Sequence, residues 1–137
     1  MEGKKILAAI VSPQPSALKR FLEGEGYSVH LVSTGAIAES LVRSLQPDAV
    51  LLSVNLPDIS GIDVCRAMKS DRRTADIPVI FYTAASSVSR LTTQLAETAG
   101  AAAFLTFGAS SHLVLNTIAS NLRHKDEGDR LPEKRPA

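Results

Sequence analysis

A chain of 137 residues has room for one domain with its own core and little more. With 45% hydrophobic and 21% charged residues it is too apolar to stay disordered, and a net charge of +1 offers no basic face for nucleic acid. The longest apolar runs, residues 6–11 and 49–52, fall far short of the roughly 20 residues that cross a bilayer, no signal-peptide pattern follows Lys4 and Lys5, and a lone Cys65 suits a reducing cytoplasm, which is the expected location.

Residues 5–11 form a continuous apolar run that predicts a buried strand. Residues 15–23 predict a helix with Leu18, Phe21 and Leu22 on one face, ended by Gly24 and Gly26. Residues 28–32 alternate as a second strand, and 36–45 place Ile37, Leu41 and Leu45 at spacing four, the expected inward stripe of a second helix, before Gln46, Pro47 and Asp48 break it. A third strand is predicted over 49–53, a loop over 55–61, and a helix over 62–69 whose start reads as a capping box from Ser60 to Asp63. Residues 78–83 give a fourth strand. Ser86 or Ser87 is expected to cap the next helix, which should carry Val88, Leu91, Leu95 and Ala99 inward and stop at Gly100. Residues 102–106 give a fifth strand, and Ser110 or Ser111 caps a last helix with Leu115, Ile118 and Leu122 at helical spacing. Strands alternating with helices are the signal of a doubly wound α/β domain with a parallel sheet and helices on both faces. Beyond Arg123 charge, Gly128, Pro132 and Pro136 replace the periodicity, so the expected organisation is one domain over 1–123 and a flexible charged tail or linker over 124–137.

In an open sheet of this kind ligands bind beyond the carboxyl ends of the strands. The residues expected there are Ile10, Val11 and Ser12, then Ser53 and Val54, Thr83 and Ala84, and Thr106, Phe107 and Gly108.

The segment Ser53-Val-Asn-Leu-Pro-Asp-Ile-Ser-Gly61, with Ile62-Asp-Val-Cys-Arg66 after it, resembles the third-strand region of bacterial two-component response-regulator receiver domains. The resemblance runs from about Lys4 to Arg123 and includes Glu25-Gly-Tyr27, Ile77-Pro-Val-Ile80, Ala99-Gly-Ala101 and Phe104-Leu-Thr106, each in order. It implies a flavodoxin-like five-stranded sheet of order 2-1-3-4-5. It also implies phosphoryl transfer from a histidine kinase to an Asp, aided by a magnesium ion held with an acidic pair after strand 1 and by a Lys after strand 5. A Thr or Ser after strand 4 would read the result.

Carried over position by position, most of that machinery is replaced. The phosphoacceptor position is Ser53, the acidic pair falls on Ile10 and Val11, and the Lys position falls on Phe107, followed by Gly108. The switch positions Thr83 and Phe104 are retained. Magnesium needs hard oxygen ligands, and an unactivated Ser is a poor nucleophile, so neither cofactor nor metal nor catalysis is expected, and the resemblance implies a degenerate pseudo-receiver.

Two alternatives stay open: a small-ligand binder or enzyme reusing the crevice, and Ser53 as the target of a serine kinase. Asp58 and Asp63 are expected to serve a turn and a helix start, and His30, His112 and His124 lack ligand spacing. A protein partner, or a second copy in a possible homodimer, is expected on the helix 4, strand 5, helix 5 face, with no nucleic acid and no membrane as direct partner. Finally, Ile10, Val11 and Phe107 have become apolar together, which predicts Phe107 as a plug over the ends of strands 1 and 3, with Gly108 permitting the turn; an outward anchor is the competing reading.

Overall fold

The computed structural model describes residues 3–11 and 15–122. The tail predicted over 124–137, Ser12 and His124 therefore lie outside the described residues. The elements follow one another as β1 (Lys5–Ala9), α1 (Pro15–Gly24), β2 (Ser28–Val32), α2 (Gly35–Leu45), β3 (Ala49–Leu52), α3 (Gly61–Ser70), β4 (Val79–Thr83), α4 (Arg90–Ala99), β5 (Ala103–Thr106) and α5 (Ser111–Asn121). All strands pair in parallel, in the order β2-β1-β3-β4-β5. Such strands are buried on both faces, which is why β1 and β3 read as unbroken apolar runs rather than as alternations.

Two layers of helix cover the sheet. Leu22 of α1 and Val114 and Ile118 of α5 pack on Ile6, Ala8, Leu51, Ile80 and Leu105. On the other face Ala38 and Val42 of α2, Val64, Cys65 and Met68 of α3, and Ala96 and Ala99 of α4 meet Leu7, Val50, Leu52, Val79 and Phe81. The sheet's base is tied where the Lys5 N–H donates to Asp48 Oδ2 (2.8 Å) and the Asp48 N–H to the Lys5 carbonyl (2.8 Å). Among the described residues no helix is long and apolar enough to cross a membrane.

Three helices depart from the sequence reading in phase or capping. In α2 the buried stripe is Ala38 and Val42, while Ile37 is 49% exposed and Leu41 and Leu45 are half-buried. In α4 the cap is Ser89, whose side chain accepts from the Thr92 N–H (3.1 Å), because Ala85–Ser87 form a separate 3-10 turn. Starting at Arg90, the helix turns Ala96 and Ala99 inward and leaves Leu91 64% and Leu95 38% exposed. Small side chains let α4 lie close to α3, where the Cys65 Sγ–H donates to the Ala99 carbonyl (3.5 Å). In α3 the box is half made: Ser60 accepts from the Ile62 N–H (3.1 Å), but Asp63 turns outward to Arg66 (2.8 Å).

Candidate functional site

The carboxyl ends of β1, β3, β4 and β5 lie at one end of the sheet, and Ser53 stands at the centre of that end. β3 stops at Leu52, yet the Ser53 N–H still donates to the Ala9 carbonyl (2.9 Å), and the Ser53 side chain adds a bridge to both neighbouring strands. The Val11 N–H donates to Ser53 Oγ (2.9 Å), and the Ser53 hydroxyl donates to the Tyr82 carbonyl (3.0 Å). Ser53 is 1% exposed, so its hydroxyl is held out of bulk water even though Val11 is half exposed.

The loop that follows is anchored at both ends. The Gly61 N–H donates to the Val54 carbonyl (2.8 Å), and a β-carbon on Gly61 would strike the Ser53 carbonyl oxygen, so this close approach requires glycine. Asp58 reaches across to α2 and accepts from the N–H groups of Gly35 (2.8 Å) and Ala36 (2.9 Å). These backbone donors at a helix start hold its carboxyl below the usual range. Asn55 donates to Ser87 Oγ (2.8 Å), joining the same loop to the 3-10 turn before α4.

Of the positions read from the sequence, Ile10 and Val11 are drawn apart rather than together. The strand ends at Ala9, Ile10 turns into the core at 4% exposure, and Val11 is 50% exposed. Phe107 is half-buried, and its ring lies 4.9 Å from that of Tyr82, tilted by 60°. The plug expected over strands 1 and 3 is therefore corrected to a pairing on β4 that leaves Val11 uncovered. The cause is the ladder: the Phe107 N–H donates to the Thr83 carbonyl (3.0 Å), continuing the pairing of Thr106 with Thr83, and strand alternation sets Phe107 on the same side as Leu105 and Tyr82. Gly108 does not adopt a positive φ, so the turn makes no use of glycine's freedom.

Thr83 is 2% exposed, and Phe104 is half-buried with its ring 5.7 Å from Phe81, both on the sheet face covered by α2, α3 and α4. Tyr82, Asn55 and the reach of Asp58 to α2 were missed in the sequence; no local pattern marks a contact whose partners lie more than twenty residues apart. Cys65 is buried, and burial pushes its thiol up, so it serves the core. Among the described residues no group of three His, Cys, Asp or Glu could hold a metal ion.

Residues 13–115 match the response regulator receiver domain model. The chain belongs to that family. Its receiver domain is similar to the DNA-binding dual master transcriptional regulator RpaA of Synechocystis, 40% identical over 67 residues, which are 49% of this chain and 28% of that protein. It is also similar to the response regulator MprA of Mycolicibacterium vanbaalenii, 42% identical over 73 residues, 53% of this chain and 31% of that protein. The matched stretches are thus under a third of these relatives' lengths. The fold is that of the chemotaxis protein CheY4 of Vibrio cholerae, with a TM-score of 0.79 at 21% identity over 88% of this chain and 99% of that one. Receiver domains of this family are signalling modules of two-component systems. The magnesium that the family implies does not fit the residues present. Ile10 and Val11 offer carbon, Ser53 Oγ is already bonded on both sides, and Ser12, Pro13 and Gln14 carry no carboxylate.

Proposed function

We propose that this receiver domain is a pseudo-receiver, acting by protein contact without phosphorylation of its own. The observation that carries the reading is the Ser53 hydroxyl, which stands at the phosphoacceptor position and is spent on holding Val11 and Tyr82. Three further points support it: no carboxylate at Ile10 or Val11, an aromatic ring at the Lys position of Phe107, and a Ser53 hydroxyl whose bonded partners among the described residues are backbone groups rather than a base. Serine-kinase modification is disfavoured, since a residue 1% exposed would have to leave both partners to reach a kinase. An enzyme is disfavoured because the nearby carboxylates have other work, Asp58 capping α2 and Asp63 paired with Arg66.

The contact face we assign is that of α4, β5 and α5. Leu91 and Leu95 stand out of α4 one turn apart, and on the other flank of the helix, toward β5, a groove of about 250 Å³ is lined by Thr93, Ala96, Glu97, Ala101 and Phe104. A helix that carries exposed leucines and borders a groove of small, polar and aromatic side chains suits a protein surface, whether that of a second copy or of another chain. Thr83 and Phe104 would serve such a face as fixed supports.

The test uses the full 137-residue chain with magnesium and beryllium fluoride, followed by calorimetry and amide NMR, and with acetyl phosphate, followed by mass. No saturable heat, no shift and no added phosphate are expected. Magnesium-dependent phosphate incorporation would overturn the reading.

A further inference from the structure

β2 is the outermost strand on one side of the sheet, and among the described residues no strand lies beyond it. Its register shows which backbone groups are unused. The Ser28 N–H donates to the Lys4 carbonyl (2.9 Å) on β1's side, and successive residues of a strand present their N–H and C=O to opposite edges. Ser28, His30 and Val32 therefore serve the ladder with β1, and Val29 and Leu31 point their N–H and C=O away from the sheet.

The space beside that edge is a groove of about 530 Å³, bounded by α1 and α2 as well as by β2. Its two walls differ in chemistry. On the α2 side, His30, Val32 and Leu41 join a second shallow groove of about 320 Å³, formed by Ala36, Ile37, Ser40, Leu41 and Ser44, and apart from the His30 imidazole this wall is apolar or small. On the α1 side stand Lys19, Arg20 and Glu23; Lys19 and Glu23 meet at 3.9 Å, and Arg20 has no ion-pair partner among the described residues.

We propose that this edge receives an extended segment of another protein as a sixth strand, its side chains alternating apolar and acidic. Main-chain bonds to Val29 and Leu31 would hold it, as in β-strand addition generally. Because side chains of a strand alternate between faces, every second residue would fall on Val32, Ile37 and Leu41, and those between would fall beside Lys19 and Arg20. A second copy of this chain fits poorly, since its β2, Ser28-Val29-His30-Leu31-Val32, brings no acid to the basic wall. The proposal stands apart from the assignment of the α4 face.

The probe is the capped heptapeptide Val-Glu-Val-Glu-Val-Glu-Val, titrated into the full chain and read by amide NMR, with the Lys-for-Glu heptapeptide as its control. The Val29 and Leu31 amides should shift saturably with the acidic peptide and exchange more slowly with solvent. The exposed double charge reversal Lys19→Glu and Arg20→Glu should weaken the acidic peptide by about tenfold and favour the basic one, at the size expected of two surface ion pairs. Leu31→Pro, which deletes an outward N–H and spares the ladder to β1, should abolish the shifts at Val29. If that variant does not fold, the charge reversal decides alone. Shifts confined to α4 and β5, an affinity indifferent to the charge reversal, or β2 shifts that follow protein concentration without peptide would each overturn the proposal, the last in favour of a second copy.

Discussion

Ser53 serves two strands through one hydroxyl, so its removal is felt by both. Ser53→Ala leaves the Tyr82 carbonyl and the Val11 N–H without their partner; a buried group so orphaned costs about 1–3 kcal/mol, and water can reach the half-exposed Val11. A loss of about 2 kcal/mol in urea unfolding is expected, and an unchanged midpoint would show that the bridge contributes nothing. Ser53→Asp supplies the family's carboxylate but cannot donate to the Tyr82 carbonyl when ionised. The variant should be less stable and still gain no phosphate from acetyl phosphate and magnesium, read by mass. At Phe107 the half-buried ring pair with Tyr82 makes Phe107→Ala a loss of about 1–2 kcal/mol, less than removal of a fully buried plug would cause.

At the scale of elements, the loop from Ser53 to Gly61 is held to α2 as much as to its own strand. Gly61→Ala drives a β-carbon into the Ser53 carbonyl, a backbone atom that cannot yield as a flexible side chain would, and should cost about 2–3 kcal/mol in chemical denaturation. Asp58 caps α2 only while ionised. Its carboxyl titrates lower folded than unfolded, so its contribution is complete above the usual carboxylate range of about 4 and is lost as pH falls through the lowered value. Asp58→Ala should lower the melting temperature at neutral pH and make the acid limb of the stability curve shallower; curves that stay parallel down to acid pH would contradict the cap. On α4, Leu91→Ser with Leu95→Ser removes exposed leucines that face no core, so unfolding should hardly change. Any self-association seen by sedimentation should weaken if the α4 face carries it.

For the whole molecule, the elements and both helix layers follow from patterns that can be read along the chain, and the sheet order follows from the resemblance to receiver domains. Runs such as 49–52 are apolar without alternation because a parallel strand is covered on both faces, α1 begins on Pro15 and ends on Gly24, and α5 begins on the Ser110 cap, signals that act locally. The absence of a carboxylate at 10, 11 and 53 is likewise a property of the sequence, and with it the mismatch to magnesium. Helix rotation was not legible. Leu91 and Leu95 have the spacing of a core stripe, yet Ser89 rather than Ser86 or Ser87 starts the helix, and the small Ala96 and Ala99 allow the close approach to α3. The same holds at the strand ends. Ser53, Tyr82 and Val11 meet only because β1, β3 and β4 stop side by side, and Phe107 meets Tyr82 because pairing with Thr83 sets its side of the sheet. The sequence by itself thus determined the elements, their order and which chemical groups stand at the crevice, since these rest on local periodicity and residue type. Only the tertiary structure decided which of those groups bond to one another, because a hydrogen bond or ring contact between residues 25 or 40 apart depends on register and helix phase, and those are settled when the layers pack.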